Sequence, residues 1–533
     1  VGAGSRREHH TFLSLQPQLN HVHPQPQALA KPKSDGHLQN AVVSAANAAA
    51  AEGSRKIVVI DDDPTGSQTV HSCPLLLRWD VQTLRLGLRH PSPLLFVLAN
   101  TRALLPEAAA ERNREIVASL EQALAAERIS DQQLLLISRG DSTLRGHGVL
   151  EPAVLAEELG DRFGPVHATL HVPAFLPGGR TTVNGVHLLH GQPVHTTPFA
   201  SDRSFGFSTS CLDAWLEEKS DGAISAASVL RLQGQQLDRA AAQRKGEPCA
   251  DGSNGFTALV SWLEALDGNC AVIVDAERQE QLDALGAAVQ QLQGRRRFLF
   301  RSAASLINGL VDGGRQPIGP QPLEVGDLVK LRRCDPDGNW LPGLVVVGSH
   351  VPLADQQLEA LLGESGCNGV ELPVARIARV LEGSTPDWLL ADLELEWLQS
   401  MQAVLGRKQT PVLYTSRGEL HFGEGQAADR RRLCFGMALA GLTARLVAAI
   451  APQLGYLISK GGITTGSLLS DGLGLGTVLL EGQLMPGLSM VRPLPEDGIA
   501  GVAGLPVITF PGNLGDVQTL AQAWRLMEQL EVG

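Results

Sequence analysis

The sequence has few cysteines and never places two of them in a CxxC pair. An odd, scattered set of seven in 533 residues is typical of reduced thiols in a cytosolic protein, not of a disulfide framework or a zinc site. We therefore predict a cytoplasmic protein in which cysteines hold no metal. The cysteines are Cys73, Cys211, Cys249, Cys270, Cys334, Cys367 and Cys434.

Long apolar runs and positive charge are also scarce. The longest apolar candidate, Met437–Ile450, is interrupted by Arg445 and falls short of the roughly 18 residues that would indicate a membrane-spanning helix. The net charge is −12, and the local basic run Arg295–Arg297 is one that we interpret as a solvated strand start. We therefore expect neither a membrane nor a nucleic acid as partner.

Two common phosphate-binding motifs are missing as well. No GxxxxGK[ST] loop is present, so the chain does not carry a Walker A site. The alternating glycines of Gly472–Gly476 precede an apolar run instead of following one, which excludes a dinucleotide fingerprint. Any nucleotide site must be built differently.

What the sequence does contain is an alternation of short apolar runs and helical patterns, which is typical of parallel α/β sheets. Its length allows two large domains. We predict a disordered tail over 1–52, a first α/β domain over 53–311, a Gly- and Pro-rich connector over 312–343 and a second α/β domain over 344–533. The predicted strands are Ile57–Ile60, Leu94–Leu98, Leu134–Ile137, Ala168–Val172, Ala271–Val274, Phe298–Phe300, Leu344–Val347, Val412–Tyr414, Tyr456–Ile458, Val478–Leu480 and Val507–Phe510.

Three consecutive carboxylates, Asp61, Asp62 and Asp63, follow the first of these strands. Adjacent carboxylates repel one another, and burying them is costly unless cations or hydrogen-bond donors share the site. A solvated loop that caps a helix is the simpler interpretation. A functional site is favoured because further strands also end in unusual loops, and ligands of open α/β sheets bind at the carboxyl ends of strands.

The loops before the connector combine arginines with small polar side chains. Arg139, Arg145 and Arg180 can each bind a carboxylate or phosphate through two hydrogen bonds. Nearby hydroxyls and amides suit a polyhydroxylated ligand. His187 and His195 could contribute too, although a lone histidine beside Leu188 and Leu189 is more often a satisfied core residue. The polar residues of these loops are Asp141, Ser142, Thr143, Thr181, Thr182 and Asn184.

The loops after the connector are rich in glycine: GSH at 348–350, SKGGITTG at 459–466 and PGNLGD at 511–516. Glycine allows close approach of a ligand to the backbone, and exposed N–H groups at helix starts bind phosphate. One such loop is a weak signal, since glycine also makes tight turns. Three in one half favour a nucleotide polyphosphate.

Taken in order, the motifs DDDPTG, RGDSTLRG, RTTVNGVH, GSH, SKGGIT and PGNLGD resemble those of the four-carbon acid sugar kinase family, from about residue 57 to residue 516. The resemblance implies two α/β domains, each with a mainly parallel sheet flanked by helices, and an active site in the cleft between them. It also implies an N-terminal domain that binds a sugar acid and a C-terminal domain that binds ATP.

Particular residues match the family motifs. Asp62 and Asp63 are implied as catalytic. Implied substrate-binding residues are Thr65, Arg139, Asp141, Ser142, Arg145, Arg180, Thr181 and Thr182, and Gly66, Thr143 and Gly146 complete the same motifs. Implied ATP-binding residues are Ser349, Gly461, Gly462, Ile463, Thr464, Gly512 and Gly515. The chain departs from the family at Pro64, an aromatic position, at Arg139, often a lysine, and at Ile463, where the family has glutamate.

The resemblance implies an ATP-dependent kinase that phosphorylates threonate, erythronate or an oxo-tetronate. We hypothesise that Asp62 or Asp63 accepts the proton of the attacking hydroxyl, that the arginines bind the substrate carboxylate and that Mg²⁺ bridges the ATP phosphates. We expect a small-molecule sugar acid and ATP as partners, and a homo-oligomer is possible.

Two alternatives stay open. Asp61–Thr65 also fits the DxDxT pattern of haloacid-dehalogenase-type phosphatases, with Asp61 as nucleophile and Asp63 as acid/base, although this leaves the glycine loops unexplained. The second alternative is a nucleotide-binding sensor without turnover, which the loss of the family glutamate at Ile463 favours.

Overall fold

The structure is a computed structural model. It describes residues 55–63, 70–202, 204–247, 254–312, 323–382, 387–418, 420, 422–423, 426–494, 501–512 and 514–530. The predicted tail, Pro64, Thr65, Gly66 and the first part of the predicted connector lie outside these ranges.

The first half of the chain alternates strands and helices as the sequence predicts. Its strands are β1 Lys56–Asp61, β2 Cys73–Leu76, β3 Leu94–Leu98, β4 Leu134–Arg139, β5 Ala168–Val172, β6 Arg180–Val183, β7 Val186–Leu189, β8 Gln192–Pro193, β9 Leu230–Leu232, β10 Cys270–Val274 and β11 Phe298–Ser302. Its helices are α1 Val81–Arg89, α2 Pro106–Glu127, α3 Leu150–Phe163, α4 Leu212–Lys219, α5 Gly234–Arg244, α6 Gly255–Glu264, α7 Gln279–Gln291 and α8 Ala304–Asp312.

The second half is built in the same way but contains an antiparallel hairpin. Its strands are β12 Gly343–Val347, β13 Cys367–Leu372, β14 Thr410–Thr415, β15 Tyr456–Lys460, β16 Thr477–Met485, β17 Leu488–Pro493 and β18 Val507–Phe510. Its helices are α9 Val325–Val329, α10 Pro352–Leu362, α11 Val374–Glu382, α12 Asp387–Gly406, α13 Gln426–Ile450, α14 Gly462–Ser467 and α15 Thr519–Met527.

Strand β1 shows why these runs become central strands. Ile57 and Val59 pack into one apolar cluster, and Val58 and Ile60 pack into another, so alternate side chains enter the cores on the two faces of the sheet. Both faces are covered, which is why the run is apolar throughout instead of alternating with polar residues. The mixed α/β class, with a large and mainly parallel sheet, is confirmed.

The two halves share one sheet, which the sequence did not predict. Fifteen strands follow in the order β13-β14-β12-β15-β18-β17-β16-β2-β3-β1-β4-β11-β5-β10-β9, and β6, β7 and β8 form a separate sheet. The junction is the antiparallel pairing of β2 with β16. The pairs β16–β17 and β17–β18 are antiparallel too, so the parallel strands of the second half run opposite to those of the first.

Sheet twist explains how the carboxyl ends of the parallel strands in the two halves still come close together. Neighbouring strands rotate by roughly 20–25°, so the six steps from β1 to β15 turn the strand direction by roughly 120–150°. This rotation largely offsets the reversal. The carboxyl ends of β1 and β15 accordingly approach one another: a Cβ added at Gly462 would lie 3.5 Å from Asp63 Oδ2.

Helix α13 is longer than the apolar run noted in the sequence. Within the described residues, the segment Arg430–Gln453 is the one helix that is long and apolar enough to cross a membrane, and 53% of its apolar window is buried inside the protein. The sequence-based statement that no such stretch exists was therefore wrong. A single candidate that is largely covered by the rest of the fold is weak evidence for a membrane span.

Candidate active site

The three acids after β1 occupy different environments. Asp61 and Asp62 are each only 1% exposed, whereas Asp63 is half-buried. Backbone hydrogen bonds extend the sheet past the end of the strand, because Asp62 N donates to Arg139 O at 3.2 Å and Ala99 N donates to Asp61 O at 2.9 Å. The carboxylates are therefore held on rigid backbone.

Arg102 is the principal partner of two of these acids, and sequence reasoning missed it. Its Nη2 donates to Asp62 Oδ1 at 2.6 Å, and its Nη1 donates to Asp63 Oδ2 at 3.2 Å. Burial alone would lower the pKa of Arg102, but the adjacent carboxylates raise it well above its ordinary value. The available signal was its position in the loop after β3, a strand that neighbours β1.

A second layer of charge lies behind these acids. Arg139, predicted to bind substrate, has Nη1 3.4 Å from Asp61 Oδ1 and is itself buried. Arg301, at the end of β11, bonds Glu151 and lies 3.6 Å from Asp62 Oδ2. Burial raises the pKa of Asp61 to about 7, although Arg139 opposes the shift. Arg139 thus acts in this structure as an internal partner of the acids.

Arg145 and Arg180 stand nearer the surface of the same loops. Arg145 Nε donates to Asp141 Oδ2 at 2.7 Å, and its guanidinium lies 4.9 Å from the Phe199 ring centroid. Arg180 Nη1 donates to Gly178 O at 2.6 Å, while its Nε is buried and has no partner among the described residues. The electrostatic influence of Asp141 and Arg145 on Arg180 shows that these groups form one cluster.

Asp141 is held ionised at the centre of that cluster. Burial would raise its pKa, but the charges of Arg102 and Arg145 and the hydrogen bonds from Thr143 and Arg145 keep its pKa well below the usual range. A carboxylate stabilised in this way is a poor proton acceptor. It instead orients Arg145, whose two hydrogen bonds in this cluster both use Nε.

Several predicted polar residues have structural partners. Thr182 is fully buried and its Oγ1 lies 3.0 Å from His187 Nδ1, while His187 Nε2 lies 2.8 Å from the backbone oxygen of Ser142. His187 is therefore a satisfied buried histidine whose pKa is lowered to about 4 by burial. Thr181 is half-buried on β6, and Thr65 lies outside the described residues.

A cavity of about 30 Å³ is lined by Asp141 and Arg145. His171, Arg301 and Trp215 line it as well. Two polar atoms of lining residues, Trp215 Nε1 and Ser302 Oγ, are buried without a hydrogen-bond partner among the described residues. At roughly 10–15 Å³ per water, the cavity holds water or a small polar group of a ligand.

The glycine loops of the second half converge around Ser349. Gly348 N donates to Lys460 O at 3.0 Å, and Gly461 N donates to Phe510 O at 2.9 Å, which ties the three loops together. A Cβ at Gly512 would lie 2.6 Å from Ser349 Oγ. At Gly461 the backbone φ is 120°, a conformation that favours glycine.

The other predicted nucleotide residues behave differently from one another. Thr464 packs against Gly348, where a Cβ would come within 2.0 Å of Thr464 Oγ1. Ile463 is 53% exposed at the start of α14. Gly515, with φ of 80°, makes the turn that Thr519 closes, because a Cβ there would lie 2.3 Å from Thr519 Oγ1. Gly515 therefore shapes its loop.

Two cations beside these loops were not singled out in the sequence. Lys460 is fully buried, and its Nζ donates to the carbonyls of Pro511 and Gly512 at 3.1 Å each. Arg417 Nη1 donates to Ser349 O at 2.6 Å, while its Nε and Nη2 are buried without hydrogen-bond partners among the described residues. Burial, with a smaller contribution from Arg417, lowers the pKa of Lys460 to about 7.

Within the part of the chain that the structure describes, no group of three or more His, Cys, Asp or Glu side chains could hold a metal ion. Asp63 is the acid that lies against the glycine loop at Gly462.

The arrangement as a whole defines a class of protein: an α/β protein in which an acid and arginine site in one half faces glycine loops in the other. Family models match both parts, a sugar-binding N-terminal domain over residues 57–310 and a nucleotide-binding C-terminal domain over residues 344–520. The chain therefore belongs to the four-carbon acid sugar kinase family and is a carbohydrate kinase.

Curated relatives agree with this assignment. The chain is 27% identical over 443 residues to a D-threonate kinase of Cupriavidus necator, which covers 81% of this chain and 86% of the relative. It is 26% identical over 316 residues to a D-erythronate kinase of Heliobacterium modesticaldum, covering 57% of this chain and 60% of the relative.

Solved structures share the fold. A protein of Salmonella typhimurium LT2 matches with a TM-score of 0.60 at 16% identity, covering 89% of this chain and 98% of the other. A Haemophilus influenzae protein matches with a TM-score of 0.55 at 16% identity, covering 89% and 99%. Both matches extend through the two halves of the chain.

Proposed function

We propose that this protein transfers the γ-phosphoryl group of ATP to a hydroxyl of a four-carbon sugar acid, of the threonate, erythronate or oxo-tetronate type. The observation that carries the proposal is the approach of Asp63 to Gly462, which brings an acid of the sugar-binding half against a glycine loop of the nucleotide-binding half. The named activities of the two curated relatives support the substrate class.

On this proposal, residues 53–311 bind the sugar acid and residues 344–533 bind the nucleotide, with 312–343 as connector. Arg145 and Arg180 are suited to the substrate carboxylate, because guanidinium groups bind carboxylates through paired hydrogen bonds. Thr65, Ser142, Thr181 and Thr182 are assigned to the same substrate site by the family motifs. Arg139 contributes indirectly, through its ion pair with Asp61.

Asp63 is the better candidate for the base that accepts the hydroxyl proton. Arg102 donates hydrogen bonds to both oxygens of Asp62, and the Asp62 side chain is buried. Asp63, by contrast, is half-buried and lies against Gly462 of the other half. Arg102 binds both acids and would remain positively charged throughout the reaction.

The nucleotide phosphates are assigned to the loops around Ser349, Gly461 and Gly512, with Lys460 and Arg417 supplying positive charge. Phosphoryl transfer depends chiefly on positioning and charge neutralisation, which such a set of groups provides. Mg²⁺ bound to the ATP phosphates supplies further neutralisation of the transferred group. Gly462, Ile463 and Thr464 begin the helix that faces the same loops, and Gly515 shapes the last of them.

The haloacid-dehalogenase alternative requires Asp61 as an exposed nucleophile. Asp61 is 1% exposed, and its pKa of about 7 leaves it substantially protonated at neutral pH. These properties disfavour the phosphatase. A sensor without turnover is the remaining alternative, and the exposed Ile463 is the residue that motivates it.

The decisive assay is ADP release from Mg-ATP with threonate, erythronate and their oxo derivatives, a blank without acceptor and a parallel test for free phosphate. Acceptor-dependent ADP without phosphate would support the kinase and name its acceptor. Phosphate released from sugar phosphates would favour the phosphatase, and ATP binding without turnover on any acid would favour the sensor. A homo-oligomer and a cytoplasmic location are further parts of the proposal, which size measurement and cell fractionation would test.

A further inference from the structure

A second basic region lies at the opposite edge of the sheet. There, a cavity of about 210 Å³ opens beside the amino ends of β1, β4 and β11, far above the roughly 10–15 Å³ that one water needs. Strand β1 separates this cavity from Asp61, and six residues at about 3.3 Å each make that separation roughly 20 Å. The cavity is therefore distinct from the candidate active site.

Arginines dominate the charge of its wall. Four of them line it together with His167, and Asp131 is the single carboxylate among the described lining residues. In a chain with a net charge of −12, such a local excess of positive charge is unusual. The four are Arg55, Arg295, Arg296 and Arg297.

Internal ion pairs account for only two of these arginines. Arg297 Nη2 lies 2.7 Å from Asp131 Oδ2, and Arg295 Nη1 lies 2.7 Å from Glu264 Oε1. Neither Arg55 nor Arg296 has an ion pair to a described residue. Arg297 and Asp131 thereby cancel at the wall, and two positive charges remain uncompensated within the part of the chain that the structure describes.

Arg55 makes the strongest case for a missing ligand. Its Nη2 is buried and has no hydrogen-bond partner among the described residues. Burial lowers its pKa to about 10, which is a marked cost for a guanidinium. Buried charges are normally paired, because removing an ion from water is energetically costly. Arg296 is half-buried and lines the same cavity, where its guanidinium supplies a second set of N–H donors.

We propose that this cavity is a binding site for a small dianionic oxyanion of the phosphate type, held by Arg55 and Arg296. Two guanidinium groups match the charge of a dianion and offer paired N–H donors to its oxygens. Arg295 and Arg297 line the same cavity but stay paired with their carboxylates. The basic run that the sequence indicated as a solvated strand start is, on this inference, part of a ligand site.

The test is equilibrium dialysis of inorganic phosphate against the full chain at constant ionic strength. Wild type is expected to bind phosphate saturably, and the double variant Arg55→Gln/Arg296→Gln is expected to lose at least tenfold in affinity. Arg296→Gln alone changes a half-buried side chain and serves as the variant whose folding is least at risk; it is expected to lose part of the affinity. Unchanged phosphate binding in both variants would overturn the inference.

Two controls separate this site from the candidate active site and from general charge. Arg145→Gln removes an arginine of the active-site cluster and is expected to retain the phosphate site, and so is Arg376→Gln, an exposed arginine of the second half. Loss of phosphate binding in Arg145→Gln with retention in the double variant would locate phosphate in the active site and refute the inference.

Competition defines the class of ligand. Sulfate is expected to displace phosphate, and acetate at equal ionic strength is not. Equal displacement by both anions would contradict the dianionic class. The dialysis does not depend on turnover, so a protein that failed as a sugar-acid kinase would still give a clear result here.

Discussion

At the scale of single residues, the acids after β1 differ more in environment than in sequence. Asp61 is buried against Arg139, Asp62 accepts hydrogen bonds from Arg102 through both of its oxygens, and Asp63 lies at the contact with Gly462. Chemically identical side chains thereby differ in burial and in their partners. The consequences can be measured one residue at a time.

Asp63→Asn is expected to lower kcat by roughly 10²–10⁴-fold, the usual contribution of a general base, while leaving the KM for ATP within a few-fold. Steady-state kinetics with the best acceptor would measure both. Asp327→Asn, an exposed acid paired only with Lys330, is the matched control and should behave as wild type. Full turnover in Asp63→Asn would remove this acid from the chemistry.

Asp61→Asn is expected to stabilise the protein at pH 8. The folded-state pKa of Asp61 is about 7 against roughly 3.9 for an unfolded aspartate, so between these values the folded chain holds a proton that the unfolded chain has lost. Stability therefore falls as pH rises from about 4 through 7. At about 1.4 kcal/mol per pKa unit, the variant should gain a few kcal/mol at pH 8 and little near pH 4.

Denaturant unfolding of both proteins from pH 4 to 8 would measure that difference. The same variant tests the phosphatase alternative, because its nucleophile would be lost, whereas the kinase should keep most of its turnover. A pH-independent difference in stability would mean that the burial of Asp61 does not carry the effect.

At the scale of elements, the nucleotide-side loops depend on close backbone approach. Gly348 follows β12, and Thr464 lies in α14 directly against it. Lys460 ends β15 and bonds the carbonyls that follow β18. Neighbouring parallel strands thus deliver three loops to one point, and each loop restricts the residues that the others can carry.

Gly348→Ala is expected to raise the KM for ATP at least tenfold, because the added methyl group would lie 2.0 Å from Thr464 Oγ1 and would push the loops apart. The KM for the sugar acid should change much less. Gly436→Ala, in a helix where a Cβ meets no atom within 4 Å, is the control. An unaltered KM for ATP would show that the loops tolerate this displacement.

Lys460→Met is expected to weaken nucleotide binding about tenfold or more and to stabilise the folded protein at pH 6. The pKa of this lysine is about 7 in the folded state against roughly 10.4 when unfolded, so the cost of burying its charge is present at low pH and is relieved as pH rises from about 7 toward 10. Calorimetric titration with ADP and denaturant unfolding would measure the two effects. Nucleotide affinity equal to wild type would remove Lys460 from the site.

At the scale of the whole molecule, the continuous sheet couples two halves that sequence patterns describe separately. The pairing of β2 with β16 adds backbone hydrogen bonds between them, and sheet twist brings their functional edges together. A strand ladder shared in this way transmits stability from one half to the other.

Residues 55–530 are therefore expected to unfold in one cooperative thermal transition, and ADP should raise its midpoint as a whole. Scanning calorimetry with and without ADP would measure this, and hydrogen exchange should show added protection in β1 as well as β15. Two separated transitions, with ADP moving only one of them, would contradict the coupling.

Much of the fold was predictable from local sequence. Runs such as Leu94–Leu98, Ala168–Val172 and Val507–Phe510 are strands with the predicted bounds, because strands buried on both faces are mainly apolar along their length. The sequence did not predict that β2 pairs with the hairpin β16–β17 and so joins the two halves, because strand pairing depends on contacts between residues far apart in sequence.

The sequence by itself determined the α/β class, the strand-end loops and the family. Periodicity, glycine placement and the order of six motifs are properties of short segments. They can therefore be recognised without knowledge of the tertiary contacts. Only the tertiary structure decided that Arg102 binds Asp62 and Asp63, that Thr182 and His187 bond each other, that Lys460 is buried beside Gly512 and that Asp63 meets Gly462. Those contacts join residues from different strands, and their distances depend on sheet order and twist, which no single segment encodes.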